Sequence, residues 1–126
     1  MILIDANILL RYALNDHVEH SPKAKDIILN NDVLILTQVI AEAIYVLKGV
    51  YNSTRQEISE TLLAICDMDN VSLEHDEIVI SAIEEFCNTN LDFVDVLLYS
   101  HQKLMNVPVV TFDKNLIVKL KTLQAE

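Results

Sequence analysis

The chain has 126 residues, the size of one domain built around one hydrophobic core. It is 52% hydrophobic, which excludes a disordered polypeptide, yet no apolar run reaches the roughly 18 to 20 residues needed to span a bilayer. The formal net charge of −10 argues against a general phosphate-binding surface, because affinity for nucleic acid comes mainly from Lys and Arg. Acidic helix faces account for most of that charge, and a share concentrated in one place would suit a bound cation or a basic partner.

Met1-Ile-Leu-Ile-Asp5 lacks the basic residues and longer apolar stretch of a secretory signal, so a cytoplasmic location is expected. Ile2 to Ile4 reads as a short apolar strand of the kind buried on both faces of a parallel sheet. A helix is predicted from Asn7 to Leu14. The next begins at Ser21-Pro22, with Ser as cap and Pro in the first position, and runs to about Asn30. Val33 to Leu36 is the second strand, and Thr37 is expected to cap a helix from Gln38 to about Tyr51. Thr54-Arg-Gln-Glu57 is a capping box opening a helix to about Asp67. Val71 to Leu73 is a brief strand, followed by a helix from Asp76 to about Cys87. Asp92 caps a helix to about Met105, Pro108 to Phe112 reads as a last strand, and a short helix surrounds Leu116 to Leu120. Strands and helices alternate, so the expected fold is an α/β sandwich around a parallel sheet, with residues 1–126 forming one domain.

Four acids stand out for their positions. Asp5 and Asp113 each directly follow an apolar strand, and in open α/β sheets the site lies beyond the carboxyl ends of the strands. Asp95 lies in the first turn of its helix. Glu42 flanks the apolar stripe of Val39, Ala43, Val46, Leu47 and Val50, about 40° from Val46 at 100° per residue. Singly, each has an ordinary explanation: a helix-terminal acid, a turn former, a surface charge. If the four converge they need a counterion, because two carboxylates about 5 Å apart repel by roughly 3 kcal/mol at an effective dielectric of 20. An all-oxygen donor set suits Mg²⁺ or Mn²⁺ rather than zinc.

Other chemistry-bearing residues read as structural. Cys66 and Cys87 fall among apolar helical positions and are expected to be buried free thiols. His17 and His20 lack a third ligand nearby, His101 lies on the stripe of Leu97, Leu98 and Leu104, and His75 belongs to a turn. Tyr12, Tyr45, Tyr51 and Tyr99 are too dispersed to form a base-stacking platform. No phosphate-binding glycine loop or G-x-S-x-G motif is present.

Ile2-Leu-Ile-Asp-Ala-Asn-Ile-Leu-Leu10, Ala41-Glu-Ala-Ile-Tyr-Val-Leu47, Asp92-Phe-Val-Asp-Val-Leu-Leu98 and Val110-Thr-Phe-Asp-Lys-Asn115 occur in this order over nearly the whole chain. In this pattern the chain resembles the PIN-domain family, specifically the VapC-type toxins of toxin–antitoxin pairs. The resemblance implies a three-layer α/β/α sandwich with a central, mainly parallel sheet of four to five short strands. It implies an endoribonuclease dependent on Mg²⁺ or Mn²⁺ that cleaves RNA phosphodiesters by metal-activated water. The metal-site acids would be Asp5, Glu42, Asp95 and Asp113, with Asn7 and Thr111 in support and Asp92 as helix cap. The family commonly forms homodimers and is inhibited by a cognate antitoxin, for which a basic inhibitory segment is expected here. Candidate RNA contacts are Arg11, Lys48, Lys114 and Lys119. Two other readings use the same acids. A phosphoaspartyl protein would take Asp5 as acceptor, but the phosphatase pattern wants an acid where Asn7 stands, and Lys114 only weakly matches the receiver lysine. A PIN fold that binds without turnover is disfavoured by the complete quartet.

Overall fold

The computed structural model describes residues 1–124. Three parallel strands, β1 (Ile2–Leu3), β2 (Val33–Ile35) and β3 (Val71–Leu73), lie in the order β1-β2-β3. Ile2 pairs with Val33, and Leu34 with Ser72. Parallel strands cannot be joined by a tight hairpin, so each step crosses over through helices. Helices α1 (Ala6–Leu14) and α2 (His20–Leu29) join β1 to β2, and α3 (Thr37–Gly49) and α4 (Arg55–Cys66) join β2 to β3. Helices α5 (Asp76–Asn88), α6 (Phe93–Met105) and α7 (Lys114–Lys121) follow. The result is an α/β fold in which helices flank the parallel sheet, as a three-layer sandwich requires. Val33 and Ile35 of the central strand are buried with Leu9, Ile28, Ile40, Leu62, Ile83, Phe86 and Val96 from the helices, giving one continuous core. No helix among the described residues is long and apolar enough to cross a membrane.

Where local signals are self-contained, sequence and structure agree. The capping box closes in both directions: Glu57 N–H donates to Thr54 Oγ1 at 3.1 Å, and Thr54 N–H donates to Glu57 Oε1 at 2.9 Å. The backbone and side-chain hydrogen bonds from Thr54 hold the Glu57 carboxyl below its ordinary range.

Four local expectations are corrected. The second helix starts at His20, and Ser21 lies inside it, buried, its Oγ accepting from His17 N–H at 3.0 Å. The His17 ring takes over the capping: its Nδ1 accepts from the N–H groups of Glu19 (3.3 Å) and His20 (2.8 Å), and it stacks on the His20 ring. Thr37 is the first residue of α3 rather than its cap, and its buried Oγ1 has no hydrogen-bond partner among the described residues. Pro108 to Phe112 makes no strand, so the sheet has three strands among the described residues, not four to five. A strand needs a ladder partner for its amides. Here Val109 N–H donates instead to the Gln102 side chain at 2.9 Å and Asp113 N–H to Thr111 Oγ1 at 3.0 Å, leaving Phe112 fully exposed. The stripe assigned to His101 is also less buried than expected, with Leu98 and Leu104 exposed. Both cysteines are free thiols; Cys66 is buried, Cys87 half-buried, and burial followed by the Asp76 charge pushes the Cys66 thiol up to about 12.

Candidate active site

Asp5 lies just beyond β1, separated from it by the buried Ile4, and is the N-cap of α1. Its Oδ1 accepts from Ile8 N–H at 3.0 Å. Asp113 does the same for α7, its Oδ1 accepting from Leu116 N–H at 2.8 Å. Thr111 Oγ1 accepts from the Asp113 amide at 3.0 Å. These caps satisfy donors that every helix N-terminus leaves unpaired.

Asp95 sits in the first turn of α6, half-buried. Burial is the main influence holding its carboxyl above the ordinary range, followed by the charges of Asp113 and Asp92. The structure therefore brings Asp92, Asp95 and Asp113 into one electrostatic neighbourhood across the start of α6 and the start of α7. Asp92 occupies the N-cap position but makes no side-chain capping bond, contrary to the cap role expected of it. Its exposed carboxylate acts on Asp95 and on Arg55.

Asp5 and Glu42 are not among the acids acting on Asp95. Glu42 is exposed on α3, and neither it nor Asn7 makes a side-chain hydrogen bond among the described residues. No three His, Cys, Asp or Glu side chains among the described residues stand together as a set able to hold a metal ion. Of the four expected acids, Asp113 acts on Asp95. Asp5 and Asp113 each turn one oxygen back onto their own helix, and Glu42 is exposed.

Arg55 was not singled out by sequence reasoning. This first residue of α4 lies over the Phe86 ring, 4.2 Å from guanidinium carbon to centroid. Its Nη1 donates to the carbonyls of Phe86 (3.0 Å) and Leu91 (2.7 Å). It thereby fixes the connection that delivers Asp92 and Asp95. Burial holds the guanidinium below its ordinary range, and the Asp92 charge acts in the opposite sense. Its only local sign is a cation beside a capping box; the partners lie more than thirty residues away.

Two of the four expected RNA contacts are occupied. Arg11 pairs with Asp16 at 2.9 Å and donates to the Tyr51 hydroxyl at 2.7 Å. Lys119 pairs with Glu85 at 3.0 Å and lies over the Tyr99 ring. Lys48 and Lys114 have no ion-pair partner among the described residues. Lys48 borders a groove of about 560 Å³ between α3 and the start of α6, to which Tyr45, Phe93, Asp92 and Asp95 also contribute.

The family model of the PIN domain matches residues 2–121. The chain belongs to the PIN-domain family. That is generally a nuclease fold, and its members typically use divalent metal ions. No curated protein and no solved structure is a significant match. The donor chemistry of this PIN domain fits a hard divalent cation: the available groups are carboxylate oxygens, and Asp95 carries a repulsion that a cation would relieve.

Proposed function

We propose that this PIN domain is a divalent-metal-dependent endoribonuclease and the toxin of a VapC-like toxin–antitoxin pair. The observation that carries the reading is the PIN-domain match over residues 2–121, with Asp92 at the start of α6 and Asp113 at the start of α7 both acting on Asp95. Asp95 and Asp113 would hold Mg²⁺ or Mn²⁺, with Asp5 and Glu42 as the further oxygen donors. When bound, such an ion supplies charge stabilisation for an attacked phosphate. The chain's own residues do the positioning: Thr111 orients Asp113, Arg55 secures the approach to Asp92 and Asp95, and the α1 N-terminus fixes Asp5. The acidic pocket and net charge of −10 suit a basic antitoxin segment, whose Arg or Lys could take the cation's place through charge-assisted hydrogen bonds. A homodimer is part of the same proposal.

The test is cleavage of defined RNAs with Mg²⁺ or Mn²⁺ and with EDTA, with the cut ends mapped. Metal-dependent products bearing 5′-phosphates, lost in Asp95→Asn, are expected. Cleavage that persists in EDTA, or full activity in Asp95→Asn, would overturn the assignment.

A further inference from the structure

The groove between α3 and α6 carries features that the acids do not explain. Tyr45 is 78% exposed and its hydroxyl has no hydrogen-bond partner among the described residues, unlike Tyr51, which is held by Arg11. Lys48 follows three residues later, also exposed. Glu42, Tyr45 and Lys48 are successive i,i+3 neighbours on α3, so an acid, an aromatic ring and a cation follow one another along the helix surface. At 1.5 Å per residue, Lys48 lies about 9 Å along the axis from Glu42. Val50 and Val94 give the groove exposed apolar surface over the buried Ile44, Phe86 and Phe93, and Asp92 and Asp95 line it from the α6 side.

We propose that this groove is a subsite for single-stranded RNA flanking the cleaved phosphodiester. Tyr45 stacks on one base, and the Lys48 ammonium meets a phosphate of the same strand. The proposal rests on the ribonuclease reading and adds to it where the substrate lies. Single-stranded nucleic acid is held by this combination of aromatic stacking and positive charge, which tolerates different base sequences. The juxtaposition decides the occupant: one exposed ring and one cation three residues apart on α3 match the base and the phosphate of a single nucleotide. A basic segment seated on Asp92 and Asp95 engages the acidic end of the groove and gains nothing from Lys48. Dispersal in sequence had argued against any tyrosine as a stacking platform; one exposed ring beside one unpaired lysine in a groove is enough for one nucleotide.

The test uses the full chain and a fluorescein-labelled single-stranded RNA. Cleavage is followed with Mn²⁺, and binding is followed by anisotropy in EDTA over a range of salt. Tyr45→Ala should raise KM about tenfold, with the loss in KM rather than kcat, and Tyr45→Phe should restore it, since stacking needs the ring and not the hydroxyl. Lys48→Ala should weaken binding and reduce the slope of log K against log salt by about one. Both side chains are exposed, so melting temperatures should stay at the wild-type value. If wild type cleaves RNA but Tyr45→Ala and Lys48→Ala leave KM and the salt slope unchanged, the subsite is overturned while the nuclease reading stands. If wild type neither binds nor cleaves RNA, that reading falls and the subsite with it. If an Arg-rich peptide occupies the groove and Tyr45→Ala abolishes its binding while RNA binding is unaffected, the occupant is a protein and the proposal is wrong.

Discussion

Replacing Arg55 by Met should destabilise the protein by about 3 kcal/mol, with the loss centred on the approach to α6. The Phe86 carbonyl is one of the last four of α5, which have no partner within their own helix. Arg55 supplies that partner at 3.0 Å and simultaneously binds the Leu91 carbonyl at 2.7 Å. A hydrogen bond from a charged donor contributes about 1.5 to 3 kcal/mol. Both bonds come from one nitrogen, so their contributions do not simply double. Stacking of the guanidinium on Phe86 at 4.2 Å adds about 0.5 to 2 kcal/mol, depending on how far it is desolvated. Met keeps an unbranched stem of similar reach, so the substitution isolates the polar and cation–π terms from packing. Urea unfolding would read the difference directly. For a chain of this size a thermal melt should fall by roughly 10 °C. Arg55→Lys, which keeps the charge but not the planar stack, should lie between wild type and Met. A Met variant within about 0.5 kcal/mol of wild type would refute the idea that Arg55 anchors this connection, since that is the range of neutral surface changes.

Asp95→Asn should raise stability in EDTA at neutral pH by less than about 1 kcal/mol, because partial exposure screens the relieved repulsion and the α6 N-terminus itself favours an acid by about 0.3 to 1 kcal/mol. The raised Asp95 carboxyl means that the folded protein keeps a proton the unfolded chain has lost; the stability linked to it is fully present below the ordinary Asp range and is lost as pH rises through the raised value. Melts of both proteins from acid to neutral pH should therefore coincide in acid and diverge toward neutrality, and parallel curves would contradict the assignment. Added Mn²⁺ should raise the wild-type melting temperature by mass action, about 2.7 kcal/mol at a hundredfold excess over Kd, and raise that of Asp95→Asn less. Asp5→Ala and Asp113→Ala should each cost about 1 kcal/mol through a lost cap, whereas Asp5→Asn and Asp113→Asn should melt close to wild type, as read by thermal unfolding.

What the sequence made legible was what neighbouring residues decide among themselves. The Thr54–Glu57 box is complete within four residues, and the apolar run containing Val33 and Ile35 can only be a buried strand. Likewise the placement of Asp5 and Asp113 at the ends of apolar runs was visible. Long-range partners were not. Nothing around Arg55 announces the Leu91 carbonyl, and nothing around Pro108 to Phe112 reveals whether a neighbouring strand will offer it a ladder. Helix starts failed where two local signals competed: Ser21-Pro22 looks like a cap and first turn, but the His17 ring takes the amide hydrogen bonds one turn earlier. Counting tyrosines along the chain likewise does not reveal that Tyr45 is exposed three residues before the exposed Lys48 on one helix.

The caps also bear on the acids' chemistry. A capping carboxylate and a metal ligand call for the same residue type in the same place, so position alone does not separate them. In both Asp5 and Asp113 the helix takes Oδ1. The hydrogen bonds assign no role to Oδ2, so one residue can cap with one oxygen and ligate with the other. Together with Asp95 in the first turn of α6, three of the four candidate acids sit at helix N-termini, where the macrodipole interacts favourably with negative charge. That offsets part of the repulsion that clustered carboxylates impose before any cation binds. Asparagine separates the two roles: its carbonyl oxygen can still cap, but its amide nitrogen replaces the free oxygen and cannot serve as an anionic ligand. Asp5→Asn and Asp113→Asn should therefore fold as wild type while losing Mn²⁺-induced stabilisation and RNA cleavage. If the Asn variants keep both and only the Ala variants suffer, through lost stability, these aspartates are helix caps and nothing more.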